Sequence, residues 1–129
     1  MTYLFDNNIS PRLARMLAAL GIDAKPLRDI FPQDIKDIDF LPQLRDTGWV
    51  LVTGDTSIVT RRAEAIALRK SGVSALFLGP FWLKLTLWPQ ATWLVTRWPE
   101  IDAFMQNQLG SVYVELRQRG RPRFVHVAG

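Results

Sequence analysis

The sequence predicts an α/β fold in which helices cover both faces of a mainly parallel sheet. Strand-like and helix-like patterns alternate from the first residues to about residue 109, and such alternation is typical of parallel strands joined by right-handed crossovers. The clearest strand pattern, residues 49–53, is apolar on both faces, as in the central strands of parallel sheets. A chain of 129 residues is close to the commonest domain size, and no repeat or linker divides it.

The first elements have local signals of their own. Residues 3–5 are apolar and predict a short buried strand. Ser10 followed by Pro11 predicts a helix start, because serine caps helices and proline suits the first helical position. Gly21 is a natural helix end, and residues 22–27 predict a weaker second strand.

The rest of the chain continues the alternation. Gly48 and Gly72 follow helical patterns and indicate where two helices end. A C-terminal β-hairpin is predicted around Arg119-Gly120-Arg121. We therefore expect a single domain, 1–129, with an α/β core over 1–110 and a hairpin over 111–129. The predicted helices are 39–47, 57–71, 87–97 and 100–109, and the predicted strands are 75–78, 112–116 and 124–127.

Composition excludes several classes of protein. The absence of cysteine excludes disulfide frameworks and cysteine-based zinc sites, and it suits a reducing cytoplasm. The most apolar region, residues 75–94, is interrupted by glycine, proline and lysine, so no transmembrane helix is expected. The formal net charge is +4, with acids clustered in residues 29–46 and bases concentrated in Arg61-Arg62, Arg69-Lys70 and the tail arginines of residues 117–123. This separation of charge favours an acidic pocket with a basic rim, which suits an anionic partner.

Two aspartates stand where a parallel sheet binds its ligands. Asp6 follows the first predicted strand and Asp55 follows the central one, and ligands bind beyond the carboxyl ends of such strands. Neighbouring strands would bring the two carboxylates together, and a divalent metal would relieve their repulsion. Each aspartate could instead cap the following helix. Ser10 and Ser57 are available as caps, and Thr53 beside Asp55 also favours a functional site.

A third carboxylate is expected from the acidic stretch before the central strand. Asp34, Asp37 and Asp39 all qualify, and helix periodicity does not choose among them. A solvated acidic loop is an equally good interpretation of any one of them.

Several segments in order resemble the signature blocks of bacterial PIN-like domains. The blocks are Asp6-Asn7-Asn8-Ile9-Ser10-Pro11, then Asp37-x-Asp39-Phe40-Leu41-Pro42, then residues 48–55 with the sequence Gly-Trp-Val-Leu-Val-Thr-Gly-Asp. Arg61-Arg62-x-Glu64 and residues 72–78 continue the likeness. The nearest subgroup is the PIN-like toxins of toxin–antitoxin pairs, relatives of the VapC ribonucleases.

The resemblance implies a three-layer α/β/α fold and endoribonuclease activity that depends on Mg²⁺ or Mn²⁺. By position, it implies that Asp6, Asp37 and Asp55 are metal ligands, with Asp39 as second choice for the middle one. Asn8 matches the asparagine that accompanies the first aspartate. Many relatives carry another acid where this chain has Ser57, and Glu64 either compensates or is an ordinary exposed helix residue.

Arginines near the predicted helix starts are candidate ligands for RNA phosphates, because the guanidinium fork pairs with phosphate. They are Arg12, Arg61 and Arg62. Arg119 and Arg121 extend the RNA path or keep the hairpin edge soluble. His126, the only histidine, is not expected to be a catalytic base.

Partners are also implied. The chain carries no fused DNA-binding segment, so we expect a separately encoded antitoxin, and a homodimer is a further possibility. A surface for either is expected among the crowded tryptophans, which are Trp82, Trp88, Trp93 and Trp98. The alternative to a nuclease is a catalytically inert PIN-like module that binds RNA or a protein. A nucleotide-binding domain is less favoured, because no glycine-rich phosphate loop is present.

Overall fold

The computed structural model describes residues 1–127, in which six strands form one sheet in the order β2-β1-β3-β4-β5-β6. Strands β1 to β5 are parallel to their neighbours, and β6 is antiparallel to β5. The strands are β1 (Tyr3–Phe5), β2 (Ala24–Pro26), β3 (Val50–Thr53), β4 (Ser74–Leu78), β5 (Tyr113–Leu116) and β6 (Arg123–Phe124). The predicted mixed fold with its mainly parallel sheet is therefore confirmed.

Two separate cores cover the two faces of the sheet, which gives the three layers expected. The helices are α1 (Pro11–Ala19), α2 (Asp37–Phe40), α3 (Arg62–Ser71) and α4 (Leu87–Gln106). Because side chains alternate along a strand, Tyr3 and Phe5 pack toward α1 and α4, whereas Leu4 packs toward α2 and α3.

Helix α1 begins as its sequence indicates. The side chain of Ser10 accepts a hydrogen bond from the backbone N–H of Arg12, and Pro11 is the first helical residue. Leu13 and Leu17 lie one turn apart and are both buried against the sheet.

The predicted helix over residues 39–47 is wrong in its bounds. Helix α2 ends at Phe40, and a 3₁₀ helix follows over Leu41–Leu44. Pro42 has no N–H to donate to the carbonyl four residues earlier, so the α-helical ladder stops there. Phe40 and Leu44 remain buried under the sheet, which holds the irregular segment in place.

The predicted helix over residues 57–71 is interrupted. Residues Thr56–Val59 form a 3₁₀ helix, and α3 starts only at Arg62. The first part is rich in β-branched side chains, which lose rotamer freedom in an α-helix. Gly72 ends α3 with a positive φ of 73°, as predicted.

The two helices predicted over residues 87–97 and 100–109 are one helix of 20 residues, α4, which continues through Pro99. Proline in a helix interior removes one backbone hydrogen bond and usually bends or ends the helix. Here the buried side chains on both sides of Pro99 lie on a single face, so packing against the sheet outweighs the local loss. They are Leu94, Trp98, Ile101 and Met105.

The C-terminal hairpin is confirmed in outline, with shorter strands than expected. Glu115 pairs with Arg123 in the antiparallel register, and the N–H of Val125 donates to the carbonyl of Tyr113. The last two residues of the predicted 111–129 hairpin lie outside the described residues. Within residues 1–127, no helix is long and apolar enough to cross a membrane.

Candidate active site

The candidate site lies at the carboxyl edge of β1 and β3. These strands are parallel neighbours with Phe5 opposite Val52. The N–H of Asp6 donates to the carbonyl of Val52 at 2.9 Å, so Asp6 follows directly on the paired part of β1. Asp55 lies two residues beyond β3. The two aspartates are thus brought to one edge, as the alternation of strands and helices predicted.

A buried threonine hydroxyl connects the two aspartates. Thr53 is fully buried, and its Oγ1 donates to Oδ2 of Asp6 at 2.9 Å. The same oxygen accepts hydrogen bonds from the backbone N–H of Asp55 at 3.0 Å and from Nδ2 of Asn8 at 3.1 Å. Thr53 therefore fixes the position of Asp6 and the path of the chain that carries Asp55.

Asn8 uses both ends of its amide to hold this loop. Besides its bond to Thr53, its Oδ1 accepts a hydrogen bond from the N–H of Gly54 at 2.9 Å. Asn8 therefore positions the segment between β3 and Asp55. In this arrangement its oxygen is already used by the backbone, so we interpret Asn8 as a positioning residue rather than a metal ligand.

Two further acids reach the same place from the helices on one face of the sheet. Asp37 is the first residue of α2, and Glu64 lies in the first turn of α3. Arg61 lies at ion-pair distance from Asp37, Asp55 and Glu64, and the charges of Asp6, Asp55 and Glu64 all act on Asp37. Asp34 and Asp39 are exposed, so the structure brings Asp37 rather than these two to the cluster.

Negative charge is crowded at this cluster. Asp6 is only 8% exposed, and its burial raises the pKa of its carboxyl, although hydrogen bonds from the Asn7 N–H and the Thr53 hydroxyl oppose the rise. Burial, together with the charges of Asp6, Asp55 and Glu64, raises the pKa of Asp37 to about 6. Both carboxyls therefore ionise less readily than an exposed aspartate does.

Asp55 is in a different environment. Partial burial raises the pKa of its carboxyl, but hydrogen bonds from Ser57 and the charge of Arg61 outweigh that effect and leave the pKa below its ordinary value. The N–H and Oγ of Ser57 donate to Oδ1 of Asp55 at 3.0 and 2.5 Å. Asp55 therefore caps the 3₁₀ helix after β3. The expectation that Ser57 would cap that segment and leave Asp55 free was wrong.

Arg61 extends into the acidic cluster. Its Nη2 lies 2.7 Å from Oδ2 of Asp55 and 3.7 Å from Oδ2 of Asp37. Its Nε lies 4.0 Å from Oε2 of Glu64. Sequence reasoning assigned Arg61 to RNA phosphates and missed this position. The position of Arg61, six residues after Asp55, was the sequence feature that suggested their proximity. The direction of its side chain could not be inferred, because the helix between the two residues is interrupted.

The donor set has the chemistry of a hard-cation site. Carboxylate oxygens are the ligands that Mg²⁺ and Mn²⁺ prefer, and here the carboxylates of Asp37, Asp55 and Glu64 lie within 4.0 Å of one guanidinium. Among residues 1–127, however, no three acidic, histidine or cysteine side chains stand together as a ready-made metal group. Arg61 lies within ion-pair distance of both Asp37 and Asp55.

The other candidate arginines are on the surface. Arg12 and Arg62 are exposed in the first turns of α1 and α3, which follow β1 and β3 at the site's edge. Arg119 and Arg121 are exposed in the connection after β5. Because β5 lies two strands from β3, its end is roughly 10 Å away along the same edge at ordinary strand spacing.

The tryptophans divide between core and surface. Trp82 and Trp98 are buried, so they are not part of a partner surface, contrary to the expectation that all four contribute to one. Trp88 is 83% exposed and Trp93 is half-buried. His126 is exposed just after β6, and it is not among the residues that form the acidic cluster.

Comparison with known proteins identifies one family. A family model described as a PIN-like domain matches residues 1–80. This range contains β1 to β4 and all four clustered acids. No curated protein and no solved structure matches the chain.

Proposed function

The chain belongs to the PIN-like domain family, and on that premise we propose that it is a metal-dependent endoribonuclease that hydrolyses RNA phosphodiester bonds. The family's fold is of the nuclease type. The observation that carries the proposal is the placement of Asp6 and Asp55 at the carboxyl edge of β1 and β3, with Asp37 connected to Asp55 through ion pairs to Arg61.

In this proposal Mg²⁺ or Mn²⁺ would be held by Asp6, Asp37 and Asp55. Glu64 would supply a fourth carboxylate, because Ser57 stands where many relatives carry an acid. When bound, such an ion would supply positive charge to activate water and to neutralise the scissile phosphate. The chain's own contribution is to hold the carboxylates in place. Thr53 holds Asp6 through its hydroxyl, and Asn8 holds the loop that carries Asp55.

Exposed arginines would bind the RNA backbone. Arg12 and Arg62 are placed at helix starts beside the acidic site, where guanidinium groups can pair with phosphate oxygens. Arg119 and Arg121 would contact phosphates farther along the strand. Because the acidic cluster itself repels a polyanion, this positive rim supports the proposed substrate class.

We further propose that the enzyme is the toxin of a toxin–antitoxin pair, inhibited in the cytoplasm by a separately encoded antitoxin. The likeness of the three sequence blocks to VapC-related toxins supports this role. A homodimer is the second proposed partner arrangement, with the exposed Trp88 as part of its surface. Induced expression should arrest growth with wild-type protein and not with Asp55→Asn.

Cleavage of a mixed RNA substrate tests the proposed chemistry. Wild-type protein should cleave in Mg²⁺ or Mn²⁺, lose activity in EDTA, and recover it when metal is restored. Asp6→Asn and Asp55→Asn should each lose cleavage while they keep the circular dichroism spectrum of the wild type. Cleavage that persists in EDTA and in both variants would refute a metal nuclease at this site.

A second candidate function is a catalytically inert PIN-like module that binds RNA or a protein. Two observations favour it: Ser57 stands where many relatives carry an acid, and Arg61 forms ion pairs within the acidic cluster. The two functions differ in one measurable property. An inert module would bind RNA with no cleavage in Mg²⁺ or Mn²⁺, whereas the nuclease would convert the same substrate to shorter products.

A further inference from the structure

Arg61 connects acids from separate elements of the fold. Its Nη2 contacts Asp55, beyond β3, and Asp37, at the start of α2, and its Nε faces Glu64 on α3. Within residues 1–127, it is the arginine that lies at ion-pair distance from these acids. Its guanidinium therefore supplies positive charge at the place where the proposed metal ion would supply it.

Arg61 contacts Oδ2 of Asp55, the carboxylate oxygen that does not accept hydrogen bonds from Ser57. Oδ1 of Asp55 accepts two hydrogen bonds from Ser57, from its N–H and its hydroxyl. Oδ2 accepts from Arg61 at 2.7 Å. A divalent ion on Oδ2 would stand beside the guanidinium, and the two like charges would repel. A divalent ion on Oδ2 would therefore weaken the ion pair between Arg61 and Asp55.

The side chain of Arg61 can move without displacing the backbone of α3. It precedes the first helical residue of α3 and has an extended backbone, with φ −74° and ψ 115°. Its side chain is 47% exposed, so it can turn into solvent while the buried face of α3 stays packed.

We propose that Arg61 is a built-in counter-cation that competes with the divalent ion for Asp55 and Asp37 and so sets the metal affinity of the site. In the metal-free protein it reduces repulsion among the carboxylates. Metal binding displaces it from Asp55 Oδ2. This inference rests on the proposed metal site, and it assigns to Arg61 a role that precedes any contact with RNA.

Calorimetric titration with Mn²⁺ tests the competition. Arg61→Met removes the charge and keeps most of the apolar stem, and Arg61→Gln is a second charge-free variant. Arg15→Met is the matched control, because Arg15 forms a 2.8 Å ion pair with Asp29 and has similar exposure, outside the acidic cluster. We expect both Arg61 variants to bind Mn²⁺ about tenfold more tightly than wild type, the size expected from losing two part-exposed ion pairs. Arg15→Met should bind like wild type.

Thermal unfolding gives a readout that does not depend on catalysis. In EDTA the Arg61 variants should melt below wild type, because the carboxylates lose their counter-cation. Saturating Mn²⁺ should raise their melting temperature more than it raises that of wild type or Arg15→Met.

Unchanged or weaker Mn²⁺ affinity in both Arg61 variants would overturn the proposal, and so would the absence of Mn²⁺ binding in every variant. RNA cleavage measured on the same samples separates this inference from the proposed function. Tighter Mn²⁺ binding with no cleavage by wild type would support the counter-cation and refute the nuclease. Metal-dependent cleavage with unchanged affinity would do the reverse.

Discussion

Asp37 is the clustered acid whose environment most clearly disfavours its charged form. Burial and neighbouring charges raise the pKa of its carboxyl to about 6. The ordinary value is 3.8, so the folded protein holds this proton more tightly than the unfolded chain does. The contribution of Asp37 to the free energy of unfolding is therefore fully present below about pH 4 and is lost as pH rises through about 6.

The variant Asp37→Asn should remove the loss of stability that wild type shows as pH rises through about 6. In EDTA we expect it to gain stability relative to wild type as pH rises from about 4 to 7, by roughly 1 to 2 kcal/mol after allowance for solvent screening. Denaturant unfolding at several pH values measures this difference. Asp39→Asn, on the exposed side of the same helix, is the control and should follow the wild-type curve. A stability difference for Asp37→Asn that does not change with pH would contradict the account.

Thr53 is the residue whose hydroxyl organises the site. Thr53→Val keeps the shape of the side chain but leaves Asp6, Asn8 and the N–H of Asp55 without their shared partner. We expect the free energy of unfolding to fall by about 1 to 3 kcal/mol, the usual effect of leaving buried polar groups unpaired. The exposed Thr56→Val should change it by less than about 0.5 kcal/mol. Equal effects of the two substitutions in chemical denaturation would refute this role.

Single residues of the site were predictable to different degrees. The positions of Asp6 and Asp55 could be predicted from sequence, because an acid just beyond a buried parallel strand lies at the carboxyl edge of the sheet. Helix periodicity did not distinguish Asp37 from Asp39, since a four-residue helix offers no periodic pattern, and only the family resemblance favoured Asp37. Arg61 was not predicted inside the cluster, because its direction depends on the irregular chain between Asp55 and α3.

Among the secondary-structure elements, the strands and α1 follow directly from sequence patterns. The errors lie in the helices, where local breaks were missed at Pro42 and before α3, and where tertiary packing overrode the local effect of Pro99. Pro42 ended a helix earlier than periodicity indicated, whereas Pro99 did not end one at all. The difference is in the buried face. Helix α4 has four inward side chains in register on both sides of its proline, and the short segment around Pro42 has no comparable length of helix to hold it.

Helix α4 also holds the connection between β5 and β6. Arg97 donates to the carbonyls of Gln118 at 2.8 Å and Gly120 at 2.7 Å, and it lies over the ring of Trp93. This arrangement fixes the backbone on which Arg119 and Arg121 stand. A candidate RNA contact is thereby held by the helix rather than left to the loop itself.

Arg97→Met should loosen that connection. The carbonyls lose a charged donor, so we expect faster amide hydrogen exchange in residues 117–121 and a fall of about 1 to 3 kcal/mol in the free energy of unfolding. Arg28→Met changes an exposed arginine elsewhere and should leave exchange in this segment unaltered. Unchanged exchange in the Arg97 variant would show that the loop is held by other contacts.

At the scale of the whole molecule, the segment that matches the family is not the whole of the packed structure. Residues 1–80 supply β1 to β4 and the clustered acids. Strand β5 and helix α4 come later, and Trp98 of α4 packs 4.9 Å from the ring of Tyr3 and 5.7 Å from that of Phe5. One face of the sheet therefore depends on residues outside the matched range.

A fragment of residues 1–80 should accordingly fail to fold. Without α4 the fragment would expose the apolar face of β1 and β3 to water. The remaining residues offer no other helix of that length to cover this face, so the hydrophobic stabilisation would be lost. Circular dichroism should show no cooperative thermal transition for the fragment and a single one for the full chain. A cooperative transition in the fragment would mean that the core beneath α4 is dispensable.

The charge distribution predicted from sequence is also a property of the whole molecule. Acids that follow β1 and β3 lie near acids of α2 and α3, and exposed arginines stand at the starts of α1 and α3 and in the connection after β5. Such an acidic centre with a basic border suits a metal ion and a polyanion together.

The central claim is that the clustered acids form a metal site that cuts RNA. The most direct test compares cleavage of one RNA substrate in Mg²⁺ by wild type, Asp37→Asn and Asp39→Asn, whose altered residues lie two positions apart in one helix. We expect wild type to cleave the RNA and Asp39→Asn to cleave it nearly as fast. Cleavage by Asp37→Asn should fall on the order of 100-fold, because this variant loses a proposed metal ligand while it stays folded. No cleavage by folded wild type in Mg²⁺, or full activity in Asp37→Asn, would contradict that claim.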